Sequence, residues 1–405
     1  MSRQPERPLL LLLAAVQFTH IMDFMIMMPL GPQLMRDLNI GPGSFSSLVA
    51  AYTISAGVIG LIAATFIDRW DRRTLLLITY AGFAAGTFAC AVSHSAHSLM
   101  LARIVCGGFG GVSGSLVMAI VSDIVPPERR AAGLGIVMTA FSVAAALGIP
   151  VGLYLAQHFN WEAPFFLLAA IATVMWTVLA FVLPPVRDHL KIPAGESFHP
   201  FHDLLRDANA GRALLFMAAM IFGHFTVIPF LSPYLVANVG LPERHLFLVY
   251  FVGGVVTVIV SPWIGRVADR RGRHRVFTIL VAVACAVTLF LTQAGPLPLW
   301  GVLVLAALFF GFASGRFVPG QAILSLAVPR SHRGSFMSLT SCVRDITAGI
   351  ASGFGGWLVT TAPDHRLIGY QWLGWAAVAA SLLSIWLSRR VLVRDIEPAV
   401  SLAGT

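Results

Sequence analysis

Long apolar stretches recur along the whole chain, and they constrain its fold more than any other feature. An α-helix needs about 20 residues to cross a bilayer, and segmentation at charged and turn residues gives twelve stretches close to or above that length. They cover about 8–34, 44–67, 74–94, 97–123, 131–158, 161–184, 210–237, 244–268, 276–294, 297–329, 335–361 and 368–388. Only 11% of the residues are charged, against roughly 25% in soluble domains. The sequence therefore predicts an all-α membrane protein with twelve transmembrane helices.

The basic residues indicate how these helices are oriented. With the N-terminus placed inside, 21 of the 27 Lys and Arg residues lie in inside segments, three in outside loops and three within spans. Because cytoplasmic loops are enriched in Lys and Arg, we expect both termini to be cytoplasmic. The net charge of +9 is thereby explained by topology, so we expect a lipid bilayer and no nucleic acid as partner. All four cysteines lie in apolar stretches, which disfavours a disulfide framework.

The two halves of the chain repeat at a constant offset of 201 residues. Pro32 corresponds to Pro233, Asp68 to Asp269 and Gly148 to Gly349, and the register holds from the first span of each half to the fifth. Two parallel six-helix repeats with a site between them near the midplane form one large class of transporters. We therefore predict two pseudo-symmetric six-helix bundles, at 1–184 and 210–405, joined by a cytoplasmic linker at 185–209.

Short motifs support this architecture. The segment GRVADRRGRHR from Gly265, its looser copy ATFIDRWDRR from Ala64, and RIVCGG with Arg103 and Gly107 resemble the loop and fourth-helix motifs of the major facilitator superfamily. The segment GIPVG, with Gly148, Pro150 and Gly152, is similar to the Gly-Pro motif of drug:proton antiporters, although Ile149 separates Gly from Pro. The surrounding residues resemble the sugar- or arabinose-efflux-like branch of bacterial exporters.

The resemblance implies a function. It implies a bacterial inner-membrane secondary transporter that exports a small organic compound, such as a drug or sugar, against protons by alternating access. No catalytic motif, P-loop or metal-ligand cluster occurs in the sequence, so we expect neither an enzyme nor a cofactor or metal, and we expect a monomer. The alternative is proton-coupled uptake of a small metabolite that could be anionic, because one buried carboxylate serves either direction.

Two groups of residues have roles implied by the resemblance. A charge network of Asp68, Arg72, Asp123, Asp269 and Arg273 would latch the halves together on the cytoplasmic side in one state, or would only set topology. We assign Gly107, Gly148, Pro150 and Gly152 to helix packing, since small residues let helices approach closely. Arg103 is expected to act as a proton relay or to be structural.

We expect the functional residues at positions where the two repeats carry different types of residue. Under the offset, Asp23 corresponds to His224, and Arg103, Arg316, Arg344 and Asp345 have no ionisable counterpart. Several lie about 12–14 residues from an interface marker, or roughly 18–21 Å at ~1.5 Å per residue, which places them near the midplane. Ionisable residues at that depth face the bundle interior and are functional candidates by default.

We expect four of these interior residues to couple protons: Asp23, His20, Asp345 and His224. A buried carboxyl group binds its proton more tightly than one in water, so a site whose access alternates can bind and release protons. His20 lies one helical turn before Asp23 and is placed to share that proton. The alternatives are a neutral, hydrogen-bonded carboxyl group and hydrogen-bonded interior imidazoles.

A second set of residues is expected to bind substrate. Adjacent residues on a helix do not face each other, so Asp345 is expected to pair with Arg316 or a protonated histidine rather than with Arg344. Three interior arginines against two aspartates leave one positive charge, which favours a substrate with an anionic or electron-rich group; a structural ion pair and simple aromatic packing are the alternatives. The set comprises Gln17, Arg316, Arg344, Phe18, Tyr52, Phe141, Phe225 and Tyr234.

Overall fold

The computed structural model describes residues 6–65, 67–126, 129–187, 190, 206–329 and 333–392. This part of the chain is almost entirely helical. It contains one antiparallel hairpin, whose two-residue strands are Thr360–Thr361 and Leu367–Ile368. Its helices are α1 Glu6–Ile26, α2 Gly31–Asp37, α3 Pro42–Ala63, α4 Arg72–Ala91, α5 Ala96–Ile124, α6 Arg130–Val143, α7 Ile149–His158, α8 Ala163–Val182, α9 Ala208–Phe225, α10 Leu231–Ala237, α11 Leu246–Arg271, α12 Arg273–Thr292, α13 Leu299–Leu308, α14 Phe317–Ser325, α15 Arg333–Leu358 and α16 Tyr370–Ser388.

Eleven helical stretches in the described residues are long and apolar enough to cross a membrane. The remaining long helix, α15, has 26 residues but is not among them. Its sequence explains the difference, since Arg344, Asp345 and several serines and threonines interrupt its apolar residues. A helix with this composition suits a position inside a bundle rather than one facing lipid.

The first span of each half is broken at equivalent positions. Helix α1 ends at Ile26 and α2 starts at Gly31, while α9 ends at Phe225 and α10 starts at Leu231 after a short 3-10 turn. Pro29 and Pro229 lie in these breaks, where a residue without a backbone N–H interrupts the helical hydrogen bonds. The 201-residue repeat is therefore visible in the backbone as well as in the sequence.

Helices α4 and α12 start at equivalent residues of the repeat, but different residues precede their first turns. In the second half Gly272 adopts φ +90°, a conformation that favours glycine. In the first half the equivalent residue is Asp71, which has φ −58° and accepts a hydrogen bond from the Arg73 amide as the helix N-cap. The missing glycine of the first-half motif is thus replaced by a capping carboxylate.

Apolar cores differ at the two ends of the molecule. The end that carries the loops with Arg72 and Arg273 is called the basic end, and the other the opposite end. One cluster of buried side chains joins both halves at the opposite end, for example Phe45 with Phe230. The clusters toward the basic end each belong to one half. The halves are therefore packed together at the opposite end and have separate cores at the basic end.

Two seams connect the halves. Along the first, α3 packs on α15, and a Cβ atom added to Gly57 would lie 2.9 Å from the backbone oxygen of Cys342. Along the second, α11 packs on the π-helical turn Ala144–Gly148 between α6 and α7. A Cβ atom added to Gly254 would there lie 2.6 Å from the oxygen of Ala145. Backbones meet this closely only because glycine has no side chain.

Candidate functional site

A fully buried ion pair lies in the first half. Arg103 of α5 donates from Nη1 to Oδ2 of Asp23 on α1 over 2.7 Å, and neither side chain is exposed to solvent. The same nitrogen also lies 3.3 Å from the backbone oxygen of Asp23. The partner of Asp23 was not predicted from the sequence, because the two residues are 80 positions apart and no periodic pattern connects them.

Neutral groups complete the surroundings of this pair. The Thr87 hydroxyl donates to Oδ1 of Asp23 over 3.3 Å, and the Cys106 thiol lies 3.5 Å from Oδ2. The Arg103 guanidinium lies over the Tyr52 ring, 4.4 Å from its centroid. Thr87 and Cys106 are further residues that sequence reasoning missed, and their small polar side chains gave no signal. The carboxylate is thus held by three side-chain donors in a site that excludes water.

His20 is buried one turn before Asp23 but does not contact its carboxylate. Both ring nitrogens lack a hydrogen-bond partner among the described residues, and the ring packs edge-on against Phe83 and Tyr80 at centroid distances of 4.3 and 5.4 Å. Oε1 of Gln17 is also buried without a partner, near Gly114 of α5. In this conformation His20 therefore has no direct hydrogen bond through which to exchange a proton with Asp23.

The second half places His224 and Arg316 in one buried cluster. The His224 ring contacts the rings of Phe225, Phe309 and Phe317 at centroid distances of 5.2–5.9 Å. Arg316 is 2% exposed and lies 6.0 Å from the Phe317 ring centroid. Phe317 therefore touches both polar residues.

The structure corrects one expectation about Asp345. Nε of Arg344 donates to Oδ1 of Asp345 over 2.9 Å, so these adjacent residues do pair with each other. Cβ vectors of neighbouring helical residues diverge, but the long arginine side chain is able to turn back onto the carboxylate. The side chains are 45% and 24% exposed, in contrast to the closed Asp23–Arg103 pair. The expected pairing of Asp345 with Arg316 is not present.

Aromatic rings of both halves meet near these polar groups. Phe24 stacks on Tyr52 at 5.8 Å and contacts Phe225 across the boundary at 5.7 Å. Phe24 was not among the predicted residues, although the offset would have found it, since position 24 corresponds to position 225. Phe18 packs beside Gly148, and Phe141 is 48% exposed.

Tyr234 lies in a different environment from the other predicted aromatic residues. Its hydroxyl donates to the Ala294 oxygen over 2.8 Å, and its ring packs on Tyr370. Both contacts belong to the apolar core that joins the halves at the opposite end. The structure therefore places Tyr234 in packing within the second half, at the end where the two halves meet.

The predicted latch residues form pairs within each half. Arg72 pairs with Asp123 over 3.0 Å, and Arg273 with Asp269 over 3.5 Å. The Asp68 side chain lies outside the described residues. A cross-boundary pair occurs instead at the opposite end, where Arg36 of α2 contacts Glu243 just before α11. Gln157 of α7 also donates to the Glu243 backbone oxygen over 2.8 Å.

The predicted packing residues bring helices close to the buried pair. A Cβ atom added to Gly107 would lie 2.2 Å from the backbone oxygen of Tyr52, so the backbones of α5 and α3 are in contact. Gly148 and Gly152 pack on Met22 and Ile26, the neighbours of Asp23 on α1. Pro150 lies in the first turn of α7, directly after the π-helical turn.

Comparisons with known proteins agree with this architecture. The family model of the Major Facilitator Superfamily matches residues 13–315 and 213–404. The Putative transporter AraJ of Escherichia coli K12 is 25% identical over 87% of this chain and 88% of its own length. The Probable sugar efflux transporter of Helicobacter pylori J99 is 22% identical over 85% and 84%.

Solved structures show the same fold. A bacterial homolog of the human lysosomal transporter Spinster, inward-facing and unoccupied, matches with a TM-score of 0.76 at 14% identity, over 96% of this chain and 98% of that one. A D-xylose–proton symporter matches with a TM-score of 0.74 at 18% identity, over 95% and 97%.

Proposed function

This chain belongs to the Major Facilitator Superfamily, and we propose that it is a secondary active transporter that exports a small organic compound in exchange for protons. Membership makes it a multi-pass membrane transporter rather than an enzyme. The proposal adds a bacterial inner-membrane location, twelve spans with α15 as the eleventh, and protons as the coupling ion.

The buried Asp23–Arg103 pair carries this proposal. Removing one partner of a buried ion pair leaves an uncompensated charge, which is strongly unfavourable. Protonation of Asp23 would cancel its attraction for Arg103, so the protonated and ionised forms favour different arrangements of α1 and α5. A proton taken up in one access state and released in the other would then couple its gradient to transport, because a ligand shifts an equilibrium only through different affinities for two states.

Access to the site follows from the packing of the two halves. If the basic end is cytoplasmic, as the distribution of Lys and Arg favours, the structure is closed toward the outside and has separate cores toward the cytoplasm. Arg36 and Glu243 would then belong to an outer gate. Opening that gate while the basic ends close would give the second state of alternating access.

The packing of the fifth span supports export as the direction of transport. Gly148 and Gly152 of the antiporter-like segment pack on the turns of α1 that flank Asp23, so this segment contacts the proposed coupling helix directly. The name of the Helicobacter relative, Probable sugar efflux transporter, fits export of a sugar. Proton-coupled uptake is the second candidate, because the same carboxylate would serve a symporter.

Other predicted residues take supporting roles in this proposal. Asp345 is the alternative coupling carboxylate, since its pair with Arg344 is partly exposed to solvent. His20 and His224 would relay or share protons after rearrangement. Substrate would bind between the halves, near Tyr52, Phe24, Phe225 and the Arg344–Asp345 pair, with Gln17, Phe18 and Phe141 as further lining residues.

Proton movement in proteoliposomes tests the proposal. The vesicles contain a pH-sensitive dye and receive gradients of sugars, organic anions or lipophilic cations. Asp23→Asn removes the titratable group but keeps the side-chain shape, and Asp345→Asn is the matched control. We expect one compound to drive opposite proton flux in wild type and Asp345→Asn, and no proton flux in Asp23→Asn.

Three other results would change the proposal. Proton flux in the same direction as the compound would identify a symporter. Loss of flux only in Asp345→Asn would move the coupling site to the exposed pair. Transport without proton flux in any variant would contradict proton coupling.

A further inference from the structure

Arg316 is a buried cation with only neutral partners. Its Nη1 donates to the Ser381 hydroxyl over 2.7 Å, and Nη2 lies 3.5 Å from the Met220 backbone oxygen. Its Nε is buried and has no hydrogen-bond partner in the part of the chain that the structure describes. No carboxylate of the described residues lies within salt-bridge distance of it. A buried charge in this situation is strongly unfavourable unless an anion compensates it.

The two other deep arginines differ from Arg316 in having a carboxylate partner, although Nε and Nη2 of Arg103 are also buried without a hydrogen-bond partner among the described residues. Arg103 pairs with Asp23 over 2.7 Å, and Arg344 pairs with Asp345 over 2.9 Å. Among these three arginines, Arg316 alone has no counter-ion within the described part of the chain.

The internal repeat places no carboxylate at the position of the second half that corresponds to Asp23. Position 23 of the first half supplies the carboxylate that neutralises Arg103, and the equivalent position of the second half holds His224. An imidazole provides no negative charge in either protonation state. Both halves therefore have a polar residue at this point of the first span, but only the first half has a carboxylate there; Arg316 itself corresponds to Ser115 and not to Arg103.

The surroundings of the cluster indicate what kind of anion fits. Phe309, Phe317 and Phe225 contact the His224 ring, so the walls next to the cation are aromatic and apolar. Phe225 also contacts Phe24 across the boundary between the halves. Phe225 thus connects the cluster of His224 and Arg316 to the region between the halves in which the proposed function places substrate.

We propose that Arg316 binds the acidic group of the transported compound, and that this compound is an amphiphilic monoanion with an apolar or aromatic body. The inference rests on the proposed transport function and names its substrate class. The guanidinium would bind the carboxylate, and the phenylalanine rings would contact the apolar body. Binding requires a rearrangement that opens the cluster, as alternation between access states provides.

Thermal unfolding of the full-length protein in detergent tests this assignment. Three probes of similar size are titrated at constant ionic strength set with sodium sulfate: sodium benzoate, neutral benzyl alcohol and cationic benzylammonium. We expect benzoate to raise the melting temperature with a saturable dependence, and the other two compounds to have no saturable effect. Equal stabilisation by benzyl alcohol would overturn the assignment, because the charge would then be irrelevant.

Variants locate the effect at Arg316. Arg316→Gln removes the charge, and His224→Asp supplies the missing internal counter-ion in the manner of the first half. Each is expected to weaken the apparent benzoate affinity at least tenfold, while Arg266→Gln, on the exposed surface of α11, keeps it. His224→Asp keeps Arg316, so this variant remains informative even if Arg316→Gln does not fold. Benzoate binding of unchanged affinity in His224→Asp would contradict the proposal.

A chloride titration separates two sources of the anion. Saturable stabilisation by chloride that equals that of benzoate, and is lost in both variants, would assign the cluster to an inorganic ion and overturn the substrate assignment. The proton-flux assay distinguishes failure of this inference from failure of the proposed function. Coupled flux without benzoate binding refutes only the substrate class, and benzoate binding without coupled flux refutes only the coupling.

Discussion

Phe24 and Phe225 are equivalent residues of the 201-residue repeat, and their rings meet across the boundary between the halves with centroids 5.7 Å apart. The pseudo-symmetry axis therefore passes close to this contact. The preceding residues, Asp23 and His224, have different buried neighbours. Asp23 pairs with Arg103, and the His224 ring packs on Phe317, which also contacts Arg316. A symmetric apolar contact thus separates a neutral ion pair, Asp23–Arg103, from a cluster in which the positive charge of Arg316 has only neutral partners among the described residues.

The Asp23–Arg103 pair should show strong energetic coupling. Arg103→Gln leaves a buried carboxylate without its counter-ion, and we expect a loss of about 3–5 kcal/mol, unless Asp23 takes up a proton. The double variant Asp23→Asn with Arg103→Gln should lose less than the sum of the single changes, because no charge remains. Thermal unfolding in detergent at several pH values measures this cycle. Additive losses would show that the two residues act independently.

The cross-boundary pair at the opposite end should stabilise the observed conformation only slightly. Arg36 and Glu243 have side chains that are 57% and 35% exposed, and exposed pairs contribute about 0–1 kcal/mol. We expect Glu243→Arg to raise the population of the state open at this end by up to about fivefold, and Arg36→Glu with Glu243→Arg to reverse the change. Distances between spin labels at this end measure the two populations. A closed population unchanged by Glu243→Arg would exclude this pair from gating.

Asp71 should make stability depend on pH. Burial opposes ionisation of its carboxyl group, but hydrogen bonds from the Val186 amide, the Thr74 hydroxyl and the Arg73 amide, with Arg187 nearby, outweigh burial and lower the pKa of Asp71 below its ordinary value. A lowered pKa in the folded state contributes stability above the unfolded pKa near 4, and that contribution is lost as the pH falls through the folded pKa.

The matching variant is Asp71→Asn. We expect it to lower stability by about 0.3–1 kcal/mol at pH 7, because Asn keeps a capping oxygen but removes the negative charge at the helix N-terminus. We expect the difference from wild type to shrink as the pH falls toward that folded pKa. Melting temperatures between pH 7 and pH 3 measure this, with Asp269→Asn as control because Asp269 is 69% exposed. A difference that stays constant down to pH 3 would contradict the charge-based explanation.

Gly254 should be essential for the seam between α11 and the π-helical turn. An alanine Cβ would lie 2.6 Å from the Ala145 backbone oxygen, so Gly254→Ala must move one of the two halves. We expect a cost of about 1–3 kcal/mol, as for other overpacked contacts, and loss of transport. Gly265→Ala is the control on the same helix, since its Cβ would make only an ordinary contact at 3.7 Å with Val318. Equal transport by both variants would show that close packing at this seam is not required for transport.

The sequence alone determined the membrane-spanning helical fold, the repeat and most of the interior polar residues. Apolar length and basic loops are local properties of each span, and a constant offset relates the two halves without knowledge of their packing. Asp23, Arg103 and Arg316 were all recognisable as deep ionisable residues for that reason. The polar helix α15 shows the limit of hydropathy, because Arg344, Asp345 and its serines and threonines keep it out of the candidate membrane spans although it is 26 residues long.

Only the tertiary structure decided which of these residues meet. Asp23 pairs with Arg103, Arg344 turns back onto Asp345, and Arg36 reaches Glu243 from the other half. These choices depend on the rotation of each helix about its axis and on rotamers of long side chains, and neither leaves a periodic trace in the sequence. The end at which the halves close is likewise set by packing between distant spans, because several arrangements of the same helices satisfy the same hydropathy pattern.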